Sequence, residues 1–135
     1  MEKYAKAFQM SGNSGPGYKQ NPEHRIALTR EARRVRVAAA GEPLAESVEA
    51  ITLREATYPP VYYIPRKDVR MDALVPTDHH TYCPYKGEAS YFSISTGGRT
   101  IENAAWSYEH PYDEVTEIGK YLAFYPRKVD RIEAS

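Results

Sequence analysis

The chain has 135 residues, 41% of them hydrophobic, which suffices for one buried core and is too little for two. Lys plus Arg and Asp plus Glu balance at 18 each, which argues against a general nucleic-acid binder or a polybasic membrane-surface protein. A single cysteine rules out an intramolecular disulfide framework and fits a reducing compartment.

The balance hides an asymmetry: residues 1–67 carry 11 basic and 7 acidic side chains, and residues 68–135 carry 7 and 11. Interleaving of the two parts in one fold would neutralise it. Tyrosine is abundant, 12 against 3 Phe and 1 Trp, which suits half-wet surfaces, interfaces or a ligand cavity. The start Met1-Glu2-Lys3-Tyr4 has no basic segment leading into an apolar core, and no run approaches the ~18 apolar residues of a membrane span. The expectation is a cytoplasmic protein.

In chain order, residues 11–22 are rich in glycine, serine and proline and predict a mobile arm or a surface wrap. That divides the chain into an N-terminal flexible arm over 1–23 and a single β domain over 24–135. His24 to Leu28 alternates as a short strand, and residues 33–39 and 44–54 predict a hairpin around a turn at Ala40-Gly41-Glu42-Pro43. Tyr58-Pro59-Pro60 breaks the chain, and Val61 to Ile64 is β-rich up to Pro65. Ser90 to Ser95 is a strand with its turn at Thr96-Gly97-Gly98-Arg99; Arg99 to Ile101 and Asn103 to Tyr108 continue as strands. Residues 111–119 predict one or two helical turns stopped by Gly119, and strands over 121–125 and 128–132 close the domain.

The densest chemistry is Thr77-Asp78-His79-His80-Thr81-Tyr82-Cys83-Pro84-Tyr85-Lys86-Gly87, which reads as a connection between two strands. Cys83 is a candidate nucleophile, because a thiol loses its proton more readily beside a cation and Lys86 lies three residues on. The competing reading is a small buried residue that starts a tight turn before Pro84. Asp78 with His79 or His80 could form an acid–base pair, or Asp78 could satisfy loop donors beside solvated histidines. Lys86-Gly87 reads as an anion contact or as a turn with its lysine in water. His79, His80 and Cys83 follow no recognised ligand spacing, so no metal site is expected.

Strand alternation puts Trp106 on the face of Ala104 and Tyr108, either as core or as a stacking surface for a planar ligand. Glu55, Ser47 and Arg66 are polar candidates at strand ends; surface salt bridges are the simpler account of the two charged ones.

An ordered set of residues carries a family likeness: Tyr63-Ile64-Pro65-Arg66, Asp68-Val69, Thr81-Tyr82-Cys83-Pro84-Tyr85-Lys86-Gly87, Asn103-Ala104-Ala105-Trp106-Ser107-Tyr108 and Leu122-Ala123-Phe124-Tyr125. It resembles the bacterial and fungal domain-of-unknown-function family four hundred and twenty-seven, also catalogued as nucleotidyltransferase-like. The resemblance implies a compact β fold of the β-tent type, a group whose members often bind zinc or small ligands. It brings no catalytic residues. One cysteine cannot build paired Cys-x-x-Cys zinc knuckles, and adjacent Asp113-Glu114 on a strand would point to opposite faces rather than share a metal.

The expected architecture is mainly β: one curled, mostly antiparallel sheet or partly open barrel, with a single short helix. The expected role is binding of a small polar or anionic molecule in a cavity walled by Tyr82, Tyr85, Trp106 and Tyr108. Cys83, Lys86 and Asp78 would be its polar groups, with Glu55 and Arg66 nearby. One alternative is an enzyme with Cys83 as nucleophile, Asp78 or His79 as base, and Lys86 holding developing negative charge. Another is an interaction module, for instance a homodimer through a tyrosine-rich exterior. Nothing in the residues names a cofactor.

Overall fold

The computed structural model describes residues 12–135. The chain is mostly β and antiparallel, as the strand signals indicate. Its strands divide among three open sheets, with orders β1-β4-β5, β10-β2-β3 and β6-β7-β8-β9. These are β1 (Ile26–Arg30), β2 (Val35–Ala39), β3 (Glu42–Ser47), β4 (Ile51–Glu55), β5 (Val61–Tyr63), β6 (Leu74–Cys83), β7 (Gly87–Thr96), β8 (Arg99–Tyr108), β9 (Ala123–Phe124) and β10 (Arg131–Ala134). A short helix α1 (Pro16–Gln20) precedes them, and 3-10 turns occupy Arg66–Asp68, Met71–Ala73 and Asp113–Ile118. Gly119 follows the last of these, as its sequence position indicates, donating its N–H to the Thr116 carbonyl. No helix among the described residues is long and apolar enough to cross a membrane.

The predicted hairpin forms with a tighter turn. Ala40 and Gly41 both take positive φ, so a two-residue connection joins β2 to β3. The stretch 44–54 does not remain one strand: β4 leaves that sheet and pairs with β1, matching Ile26 with Glu55. Pro43 is tolerated because β3 lies at a sheet edge. Gly97, at φ +58°, opens the β7–β8 turn, and a Cβ there would come within 2.6 Å of the Ala40 carbonyl oxygen. An isolated bridge between Ile64 and Leu122 links the chain beside β5 to that beside β9, and another links Ala45 of β3 to Val69.

The largest correction concerns residues 77–83, which are strand rather than connection. They belong to β6, and only Pro84-Tyr85-Lys86 turn the chain before Gly87. β6 is an edge strand whose residues beyond Leu74 are largely exposed, so no apolar alternation advertises it. Pairing with β7 defines it instead. β7 is an inner strand and is buried on both faces from Tyr91 to Ile94.

Two apolar clusters result. Val35, Val37, Leu44, Ile64, Ile94 and Leu122 centre the first. The second is tyrosine-rich, with Tyr63, Tyr91 and Tyr108 around Leu53, Val115 and Ile118, and Cys83 and Trp106 packed against it.

The glycine-rich stretch contributes directly to this packing. Gly17 is buried and donates its N–H to the Pro84 carbonyl at 3.0 Å. Asn13 donates its N–H to Asp113, and Ser14 and Gly15 hydrogen-bond the Glu114 carboxylate. Residues 12–22 therefore wrap the β6–β7 turn; residues 1–11 of the expected arm lie outside the described residues.

Candidate functional site

The β6–β7 turn sends its lysine inward. Gly87, at φ +111°, sits where the chain re-enters the ladder opposite Cys83. Lys86 is only 9% exposed, and its Nζ donates to Glu55 Oε1 at 2.5 Å. The other Glu55 oxygen lies 2.7 Å from His24 Nε2. Glu55 ends β4 and His24 stands just before β1, so the β1–β4 pairing brings the imidazole to the carboxylate. Burial alone would raise the Glu55 carboxyl; the hydrogen bonds and charges of Lys86 and His24 outweigh it and hold the group below the usual carboxylate range.

Aromatic rings enclose this junction. Tyr85 stacks on His24 at 4.3 Å, and Tyr18 meets Tyr85 edge-on at 5.1 Å. The Tyr18 hydroxyl donates to the Tyr85 carbonyl, and Tyr85 donates to that of Asn21. Gly17 lies so close beneath Tyr85 that a Cβ would stand 2.7 Å from the ring.

Behind the ion pair is the tyrosine cluster. Tyr63 is 1% exposed, and its hydroxyl accepts a hydrogen bond from Trp106 Nε1 at 3.2 Å. Tyr108, 6% exposed, packs against Tyr63, and its hydroxyl has no hydrogen-bond partner among the described residues. Burial pushes the hydroxyls of Tyr18, Tyr63 and Tyr108 far up, and negative charge at Glu55 adds to the rise at all three. Cys83 packs against the Tyr63–Tyr108 cluster, so the thiol shares this neighbourhood. It contains a carboxylate, an ammonium, a half-buried thiol and an unpartnered hydroxyl.

The structure thus unites Cys83, Lys86, Glu55, Tyr85 and Tyr108 and separates the rest. Asp78 and His79 are exposed residues of a β6 bulge. Four strand positions separate His79 from Cys83, roughly 13 Å of rise in an extended strand. Tyr82 is 60% exposed and hydrogen-bonds the Tyr112 hydroxyl at 2.7 Å. Trp106 shares the Tyr63 contact but also lines a separate apolar cavity of about 210 Å³ with Tyr62, Ile64 and Phe124. The expected four-aromatic wall of a single cavity therefore splits: Tyr82 faces out, Tyr85 sits on His24, and Trp106 and Tyr108 flank Tyr63. Arg66 grips both oxygens of Glu109 and donates to the Lys120 carbonyl, a structural clamp. Ser47 bonds Asp68 and receives the Glu49 N–H, fixing a chain bend.

His24 and Tyr18 carry no signal of a site in the sequence, and Tyr63 appears there only within the family likeness. Only Gly15 and Gly17 hinted that residues 12–22 approach another surface closely, and Gly-rich composition equally describes a free arm. Among the described residues no group of three His, Cys, Asp or Glu side chains converges as a metal-ligand set.

A family model described as domain of unknown function (DUF427) matches residues 27–135, and the chain belongs to that family. No curated protein matches the chain.

Proposed function

We propose that this member of the DUF427 family binds a small polar or anionic molecule between the β6–β7 turn and the Tyr63–Tyr108 cluster. The observation that carries the reading is the Lys86–Glu55 pair, an ammonium and a carboxylate in contact with both side chains at most 15% exposed. The Tyr108 hydroxyl, which hydrogen-bonds none of the described residues, is available as a further donor. Breaking even with a buried ion pair requires near-ideal surroundings, so such a pair is weak evidence for stability alone. It matches the pattern of charged groups gathered at binding sites. In this reading Lys86 contacts the ligand's anionic group, the tyrosine hydroxyls donate to its oxygens, and Cys83 lies alongside.

A thermal-shift screen of small carboxylates, phosphates and polar neutral compounds tests it, since a ligand at 100 times its Kd adds about 2.7 kcal/mol. A hit that stabilises the wild type and loses most of its effect in Tyr108→Phe and Lys86→Met supports the reading. Hits indifferent to both substitutions defeat it.

The enzyme alternative changes its cast. It would take Glu55 with His24, hydrogen-bonded at 2.7 Å, as its acid–base pair, in place of Asp78 and His79. Thiol alkylation against pH checks it: a rate midpoint below the ordinary thiol range, shifted by Glu55→Gln, favours it, and an inert thiol removes it.

A further inference from the structure

A second concavity lies on the other side of Tyr91. It is an open cleft of about 590 Å³, lined by His79, Tyr91, Asn103, Tyr125, Arg127 and Lys128. We propose that this cleft is a binding site for the phosphoryl group of a small molecule, distinct from the site behind the β6–β7 turn.

The lining presents donors and no carboxylate. Arg127 has no ion-pair or hydrogen-bond partner among the described residues, so its planar fork is free to take two oxygens of one anion. The Lys128 N–H closes a tight turn on the Tyr125 carbonyl, which sets both cations at the rim together. Lys128 Nζ donates to the Glu102 carbonyl at 2.8 Å, anchoring one charge where it adds to the local potential. Asn103 spends its side-chain oxygen on the Thr77 hydroxyl at 2.7 Å, which leaves its amide N–H groups for a ligand. His79 rests edge-on against Tyr91 at 4.5 Å, and neither ring nitrogen has a partner among the described residues. The Tyr91 and Tyr125 hydroxyls lie 3.0 Å apart, and Thr81 continues that chain from Tyr91.

The backbone is irregular on both sides of the cleft. β6 bulges between Pro76 and His80, and Asn103 on β8 takes φ +48° where the β7–β8 register shifts. The Thr77–Asn103 bond joins these two departures directly. Each costs pairing or conformational energy, and such departures cluster where a side chain must be re-aimed toward a site. A solvated pair of surface cations would need neither irregularity. The cleft volume falls within the roughly 300–1,000 Å³ of small-molecule sites.

The test is a titration of the full chain with inorganic phosphate, glucose 6-phosphate and glucose, followed by amide chemical shifts. Saturable shifts at residues 79, 103 and 125–128 with a phosphorylated probe, absent with glucose, are expected. Glucose 6-phosphate binding tighter than phosphate indicates a phosphomonoester; equal binding indicates the free anion. Arg127→Ala should weaken binding on the order of tenfold, by loss of a bidentate charged contact, and His79→Ala should weaken it less. Absence of saturation with both probes overturns the proposal, as does affinity unchanged in Arg127→Ala or matched competition by chloride. Tyr108→Phe should leave this binding unaltered, so failure here and failure of the Tyr108 reading are told apart.

Discussion

Lys86 and Glu55, 31 residues apart in the chain, meet at 2.5 Å with both side chains at most 15% exposed. That contact joins the β6–β7 turn to the end of β4, and through His24 it reaches the start of β1. It turns a motif lysine that reads as a solvated turn residue into an interior charge.

Breaking the pair from one side should be costly. Glu55→Ala strands a buried ammonium, and a loss of about 3 kcal/mol is expected in urea unfolding. The double variant Glu55→Leu with Lys86→Met should lose much less than the two single changes combined, because it leaves no uncompensated charge. Additive losses would show that the two groups do not interact.

Acid sensitivity follows from the depressed Glu55 carboxyl. Its folded-state pKa lies below its unfolded value, so its contribution is fully present above the ordinary carboxylate range. It disappears as pH falls through the folded value. Glu55→Gln should flatten the acid limb of the stability–pH curve relative to wild type. An unchanged limb would place the acid lability elsewhere.

The two buried tyrosines should respond oppositely to loss of their hydroxyls. Tyr63→Phe leaves the Trp106 indole N–H without its acceptor and should cost about 1–3 kcal/mol. Tyr108→Phe removes a hydroxyl with no partner among the described residues, so unliganded stability should stay level or rise. Chemical denaturation of both variants, followed by fluorescence of the single tryptophan, compares them. A large loss in Tyr108→Phe would mean that its hydroxyl is already satisfied.

The wrap of residues 12–22 should depend on Gly17. In Gly17→Ala the new methyl collides with the Tyr85 ring, displacing the segment or the ring at a cost of about 1–3 kcal/mol. Limited proteolysis should then cut within residues 12–22 sooner than in wild type. Equal cleavage rates would show that the contact does not hold the segment down.

Much of the β framework is legible in the residues themselves. Val35, Val37 and Ala39 alternate with Arg36, and the strand they predict buries that face. Gly97-Gly98 marks a turn because both glycines need positive φ, and the family blocks around Cys83 and Trp106 identify the family over most of the chain. The edge strand β6 carries no apolar period, because its outer side meets water. The expected cavity wall failed for a related reason: four aromatics close in sequence motifs need not face one space.

The sequence by itself determined strand content, turn positions and family, because these depend on residues a few positions apart. Only the tertiary structure decided that Lys86 goes to Glu55 rather than to water. It alone brought His24 to that carboxylate, packed Tyr108 against Tyr63, and set His79 apart from Cys83 along β6. Those outcomes rest on strand register and sheet-to-sheet packing between segments tens of residues apart. No local period encodes such distances, since a one-residue slip of register would turn every one of these side chains to the opposite face.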